Sequence, residues 1–172
     1  MRGTNLVTDI CGHTVIEIKG KGGKVQRQRL LPGDEAIVRR IMGAREPGEK
    51  VFDRKEMRNS IDLHGIRRDH ARAAYDFYVG EIRAGKAEKL RADLMATWEA
   101  YHPKAAKNYR QQVAGFRAEL NSDTPYFLRG DNARRARQSG RPVKYDRLAL
   151  MCVSVWHLAH WRCDVTIRHY ML

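Results

Sequence analysis

Cysteine is scarce in this chain of 172 residues: Cys11, Cys152 and Cys163 are all there is. So small and odd a number builds no disulfide scaffold and fits a reducing cytosol. No apolar run approaches the roughly 18–20 residues that a membrane helix needs, so no membrane partner is expected. Residues 1–10 hold no apolar signal-peptide core, and nothing in them directs the chain to secretion. Internal repeats and low-complexity tracts are absent. Acidic residues are few as well, 20 against 33 lysines and arginines, which leaves a formal charge of +13. Such an excess points to a polyanionic partner. DNA and RNA both fit that charge, and no RNA-recognition motif with stacking aromatics is present. What remains is a chain with 42% hydrophobic residues, long enough to bury a core, and residues 1–172 read as one domain.

The charge is uneven. Residues 101–172 carry thirteen bases against five acids, while residues 51–100 carry ten against nine. The densest stretch includes Arg129, Arg134, Arg135, Arg137, Arg141 and Lys144. Gly, Asn, Ser and Pro are interleaved among these bases, so residues 121–144 read as a basic flexible loop. Arginine outnumbers lysine along the chain, and its planar fork holds two phosphate oxygens at once.

Local patterns predict a mainly α chain with a small antiparallel β-hairpin or sheet near the N-terminus, an α+β class. Thr14–Lys19 is β-branched and extended, residues 25–31 can pair with it, and the glycine-rich stretch 20–24 reads as the turn between them. Asp34 can cap a short helix reaching about Gly43. Asp62 can cap a longer one, with Ile66, Ala73, Ala74, Phe77 and Ile82 at near-helical spacing. Residues 87–120 read as two helices broken near His102-Pro103. Residues 145–160 form an apolar-rich helix, and a last short helix follows from Asp164.

Four pieces carry polar residues that packing alone does not explain. Lys21 sits between glycines at the hairpin tip, where a backbone can approach a ligand closely. His64 and Arg67 are three apart and share one helix face, a proton acceptor beside a fixed cation. His160 and Tyr170 are ten apart, roughly 15 Å on a straight helix. A turn at Trp161-Arg162-Cys163 before the Asp164 helix would fold the two side chains back together. Cys152, His157, His160 and Cys163 are zinc-capable, but their spacings of five, three and three match no usual zinc pattern, so neither metal nor cofactor is expected.

The order of these pieces resembles the catalytic domain of the tyrosine recombinases of the phage integrase family. The segment Ile18-Lys19-Gly20-Lys21-Gly22-Gly23-Lys24, with Arg27 and Leu30-Leu31-Pro32, is similar to the family's β-hairpin. Leu63-His64-Gly65-Ile66-Arg67 resembles its H-x-L-R box. Leu158-Ala159-His160 resembles its L-G-H box, with alanine where glycine is usual. Asp164-Val165-Thr166-Ile167-Arg168-His169-Tyr170 resembles the segment that carries the nucleophile.

The resemblance implies that Tyr170 attacks a DNA phosphodiester and forms a 3′-phosphotyrosyl bond. Lys21 then protonates the leaving 5′-oxygen, and His64 is the candidate base. His160 donates to a phosphate oxygen, and Arg67 stabilises the non-bridging oxygens together with a first arginine, for which Arg2 is the candidate. Lys24, Arg27, Arg68 and the basic stretch 129–144 would hold double-stranded DNA. It further implies a cytoplasmic, nucleoid-associated bacterial protein that self-associates on DNA in its full-length form. The family's N-terminal DNA-binding domains and the helix beyond the tyrosine have no counterpart in the sequence, so the chain reads as a catalytic domain truncated at both ends.

Overall fold

The computed structural model describes residues 5–19, 25–44, 46, 49–51, 61–102 and 107–172. The protein is mixed α+β, 60% helical, with a small antiparallel sheet near the N-terminus. Where the sequence reads as a single domain, residue contacts group the chain into two compact units, Met1–Arg67 and Arg68–Leu172.

In the first unit, β2 (Thr14–Lys19) pairs antiparallel with β3 (Val25–Arg29), as the β-branched run and the glycine-rich turn predict. A third strand, β1 (Leu6–Thr8), adds to the other edge of β2 and gives the order β1-β2-β3. The sequence reading misses it, because three residues are too few to show an alternation. Helix α1 (Asp34–Gly43) follows, but Asp34 is not its cap. Gly33, at φ 95°, occupies the cap position, and Asp34 and Glu35 lie in the first turn, where carboxylates complement the helix dipole. The Thr14 hydroxyl donates to Glu35 at 2.7 Å and Arg39 donates to both, which ties α1 to β2 and draws the Glu35 carboxyl below its ordinary range.

Among the described residues of this unit the most deeply buried ion pair is Arg29–Asp9, 2.7 Å long with both side chains 5% exposed. The other Asp9 oxygen accepts from the backbone N–H groups of Cys11 and His13, each at 2.9 Å. Removing one partner of a buried pair strands the other charge, and Asp9→Ala is expected to destabilise the chain by about 3 kcal/mol. Urea unfolding of the variant measures this, and a midpoint equal to wild type would refute it.

Helix α2 (Leu63–Arg83) starts where Asp62 predicts: the Asp62 carboxylate accepts from Gly65 N–H at 2.7 Å. Its inward face differs from expectation. Ala71, Ala74 and Tyr78 are buried, whereas Ile66 is 59% exposed and Ala73 faces water. Two adjacent alanines look alike in the sequence, and the Tyr78 ring rather than Phe77 fixes which side turns inward.

In the second unit, α3 (Ala87–Tyr101) and α4 (Tyr109–Leu120) bracket the expected break. Two short strands, β4 (Tyr126–Phe127) and β5 (Lys144–Tyr145), pair antiparallel, and between them runs α5 (Gly130–Gln138). The expected flexible loop over residues 121–144 is thus corrected. Ala133 and Ala136, one turn apart, are buried, and the arginines take the remaining face. Alanines make a helix stripe too small to register as apolar among so many bases. Helix α6 (Arg147–Cys152), capped by the Asp146 carboxylate, is fully inside from Leu148 onward and packs against α3, α4 and the short α7 (Cys163–Thr166). Among the described residues no helix is long and apolar enough to cross a membrane.

Candidate active site

The chain beyond α6 widens into a π-helical turn over Val153–His157, and α7 likewise continues as a π-helical turn over Ile167–Met171. Such widened turns are rare, and often occur where a side chain has to be re-aimed. Between them the backbone reverses at Ala159, φ 54°, and Trp161, φ 58°. Both are left-handed conformations that residues with a Cβ adopt only when the surroundings impose them.

Two anchors impose them here. The first is Ser154, with relative exposure of 1%. Its carbonyl accepts from His160 N–H at 2.9 Å and Trp161 N–H at 3.4 Å, and its hydroxyl lies 2.7 Å from that of Thr166. The second is the Trp161 ring, which meets His102 edge-on at 4.7 Å and Trp98 at 5.6 Å between centroids. Trp98 is in turn stacked on His102 and on Phe116. Ser154→Ala would leave the buried Thr166 hydroxyl with only the Arg162 carbonyl at 3.3 Å. The expected loss is about 1–2 kcal/mol, measurable by chemical denaturation; no loss would deny the hydroxyl a stabilising role, while the carbonyl that holds the reversal is kept in the variant.

The reversal brings His160 and Tyr170 together, as the predicted turn requires. His160 Nε2 and the Tyr170 hydroxyl lie 3.2 Å apart, a hydrogen bond whose donor depends on the imidazole tautomer. The rings lie 28° from parallel with centroids 5.7 Å apart. Tyr170 is 6% exposed and His160 is half-buried. The turn uses Arg162 rather than Asp164 as the cap of α7. Asp164 enters the first turn and pairs with the Arg162 guanidinium at 2.7 Å, which holds its carboxyl below the ordinary range.

The other expected residues divide into three groups. His64 and Arg67 stand exposed in the first turn of α2, within the first unit. Lys21, Lys24 and Arg2 lie outside the described residues. Of the expected DNA contacts, Arg27 pairs with Glu17 at 2.7 Å and Arg134 with Asp131 at 2.9 Å. Arg129, Arg135, Arg137 and Lys144 are exposed, while Arg68 and Arg141 are half-buried. Arg141 and Arg68 both face Arg72, whose guanidinium is pushed below its ordinary range by burial first and by these like charges second.

The zinc-capable quartet has other employment. His157 is buried, with Nδ1 3.0 Å from His70 Nε2 and Nε2 3.1 Å from the Tyr78 hydroxyl. Burial pushes the Cys163 thiol far up, which keeps it protonated. Sequence reasoning missed the His70–His157–Tyr78 chain. Its members are separated by up to 87 residues, and no local signal joins them. Compared with protein-family models, with curated proteins and with solved structures, the chain matches none of them.

Proposed function

We propose that the chain is the catalytic part of a tyrosine-type site-specific DNA recombinase or integrase, which cuts and rejoins DNA through a 3′-phosphotyrosyl intermediate. The observation that carries this reading is the 3.2 Å approach of His160 to the Tyr170 hydroxyl across a strained reversal. The left-handed backbone at Ala159 and Trp161 costs free energy, and the reversal it makes sets the His160 ring against Tyr170.

The chemistry follows from the groups. A phenol oxygen attacks poorly while it keeps its proton, because its ordinary pKa is about 10. His160 holds the Tyr170 oxygen in a fixed direction, and His64 accepts the proton. Tyr170 Oη then bonds to phosphorus as the bond to the 5′-oxygen breaks, and Lys21 supplies that oxygen with its proton. Negative charge builds on the non-bridging oxygens, where Arg67 and a second arginine, Arg2 or an equivalent, would meet it with two-pronged donors. The phosphotyrosyl bond conserves the energy of the broken one. A free 5′-hydroxyl can therefore reverse every step without a nucleotide or metal cofactor.

The exposed arginines on and beside α5 supply a second, narrower reading: a duplex-binding protein without strand cleavage, the remnant of a recombinase. One experiment separates the two. A nicked duplex that loses a short 5′ fragment on cleavage traps the covalent intermediate, which survives a denaturing gel. An adduct supports the recombinase. Binding without an adduct favours the remnant, and neither signal refutes both.

A further inference from the structure

Between β4 and α5, within the second unit, a cleft of about 380 Å³ opens beside Thr124, Tyr126, Phe127, Arg129, Asn132 and Arg147. Of its lining, only Arg129 has a role above, as an expected DNA contact. Its volume lies at the small end of the range for ligand pockets, enough for one compact group.

Three side chains in it are left over from folding. Phe127 is 52% exposed, although the adjacent Leu128 is buried at 8%. The residue just after β4, Leu128, is the apolar anchor, and the strand itself holds the Phe127 ring out to water. The Arg129 guanidinium is exposed and has no ion pair or hydrogen bond with any described residue. The half-buried Asn132 amide likewise has no described side-chain partner, which leaves a donor and an acceptor side by side.

The fourth side chain is fixed. Arg147 donates from Nε to the Thr124 carbonyl at 3.0 Å and reaches Glu119 at 3.4 Å, and its guanidinium carbon lies 5.6 Å from the Tyr126 ring centre. It forms a rigid cationic wall to the cleft.

A flat ring, an exposed cation and a half-buried amide in one small cleft match a nucleotide: a π-face for the base, an amide for its hydrogen-bonding edge and a guanidinium for its phosphate. An aliphatic ligand would leave Arg129 and Asn132 unpaired, and an acidic side chain would have no use for the ring. Bases inside a duplex have both faces occupied, and extruding one costs a few kcal/mol, so a site of this kind selects bases that are already unpaired.

We propose that this cleft accepts one unpaired nucleotide of a DNA strand, with its base stacked on Phe127. The inference rests on the reading of the chain as a DNA-binding protein. It adds a preference for duplexes carrying an unpaired base, which strand cleavage by Tyr170 does not require.

Fluorescence anisotropy tests it with two labelled duplexes of one sequence, one fully paired and one with a single unpaired thymidine at its centre. The full chain should bind the bulged duplex about tenfold more tightly, the scale of one base–aromatic stack. Phe127→Ala should lose that preference while its affinity for the paired duplex stays nearly the same, which also reports that the variant is folded. Phe127→Tyr should keep the preference. Equal affinity of the wild type for both duplexes overturns the cleft and leaves the DNA-binding reading standing. Failure to bind either duplex overturns both, and a preference that survives Phe127→Ala overturns the assignment of the ring.

Discussion

Tyr170→Phe is expected to abolish the covalent DNA adduct while leaving duplex binding nearly unchanged. The reasoning is local. The Tyr170 ring is buried against its neighbours, the His160 ring among them, and its oxygen lies 3.2 Å from His160 Nε2. Phenylalanine keeps the ring and the packing and removes the single atom that can bond to phosphorus. A general loss of stability would instead weaken binding and adduct formation together, so the split between the two measurements reports on chemistry. Nucleophile removal is among the largest effects that a point change produces, because no remaining group replaces the lost bond-forming atom. A phenylalanine variant that still forms the adduct at the wild-type rate would transfer the role elsewhere and remove the central argument for recombination.

The second large effect concerns salt. Affinity for duplex DNA should fall by about a thousandfold between 50 and 200 mM salt, the scale set by release of counterions from roughly six phosphates. The sign follows from the net charge of +13 and the magnitude from how many cations reach the backbone. Arg129, Arg135, Arg137 and Lys144 are exposed, while Arg134 shares its charge with Asp131 and Arg27 with Glu17. Exposed ion pairs are weak, so Arg134 can exchange its carboxylate for a phosphate at little cost, while the half-buried Arg27–Glu17 pair yields less readily. A titration whose slope is flat would mean that the excess charge serves solubility alone. A slope that is steep in both wild type and Tyr170→Phe would assign binding and cleavage to separate residues.

Those features that depend on a few neighbouring residues were legible in the sequence. The β2–β3 hairpin was readable because a β-branched run, a glycine-rich turn and a second extended run follow one another. The start of α2 was readable from Asp62, whose carboxylate needs only the next turn of backbone. The return of Tyr170 toward His160 was readable from a turn at Trp161-Arg162-Cys163, after which a new helix folds the two side chains back together.

What escaped depends on distant partners or on small side chains. Strand β1 exists because β2 offers a free edge, a fact that Leu6–Thr8 alone cannot announce. Helix α5 rests on two alanines, which contribute little apolar area each and are outweighed by the surrounding arginines in any local tally. The cap of α1 went to Gly33 because the backbone enters the helix at a positive φ, which aspartate adopts less readily than glycine. The π-helical turns depend on hydrogen bonds that close around Ser154 and on a tryptophan seated against α3, neither of which periodicity reveals. Arg67 and His64 were named from a short motif, and their exposure at the start of α2 is all that the fold adds to it.

The near-complete enclosure of Tyr170 carries a consequence for timing. With so little of the residue exposed, Tyr170 meets no phosphodiester, under the proposed chemistry, until the surroundings of its ring open. Gripping a strand and breaking it would then be successive events, with the closing stretch from Ile167 to Met171 acting as the safety catch between them.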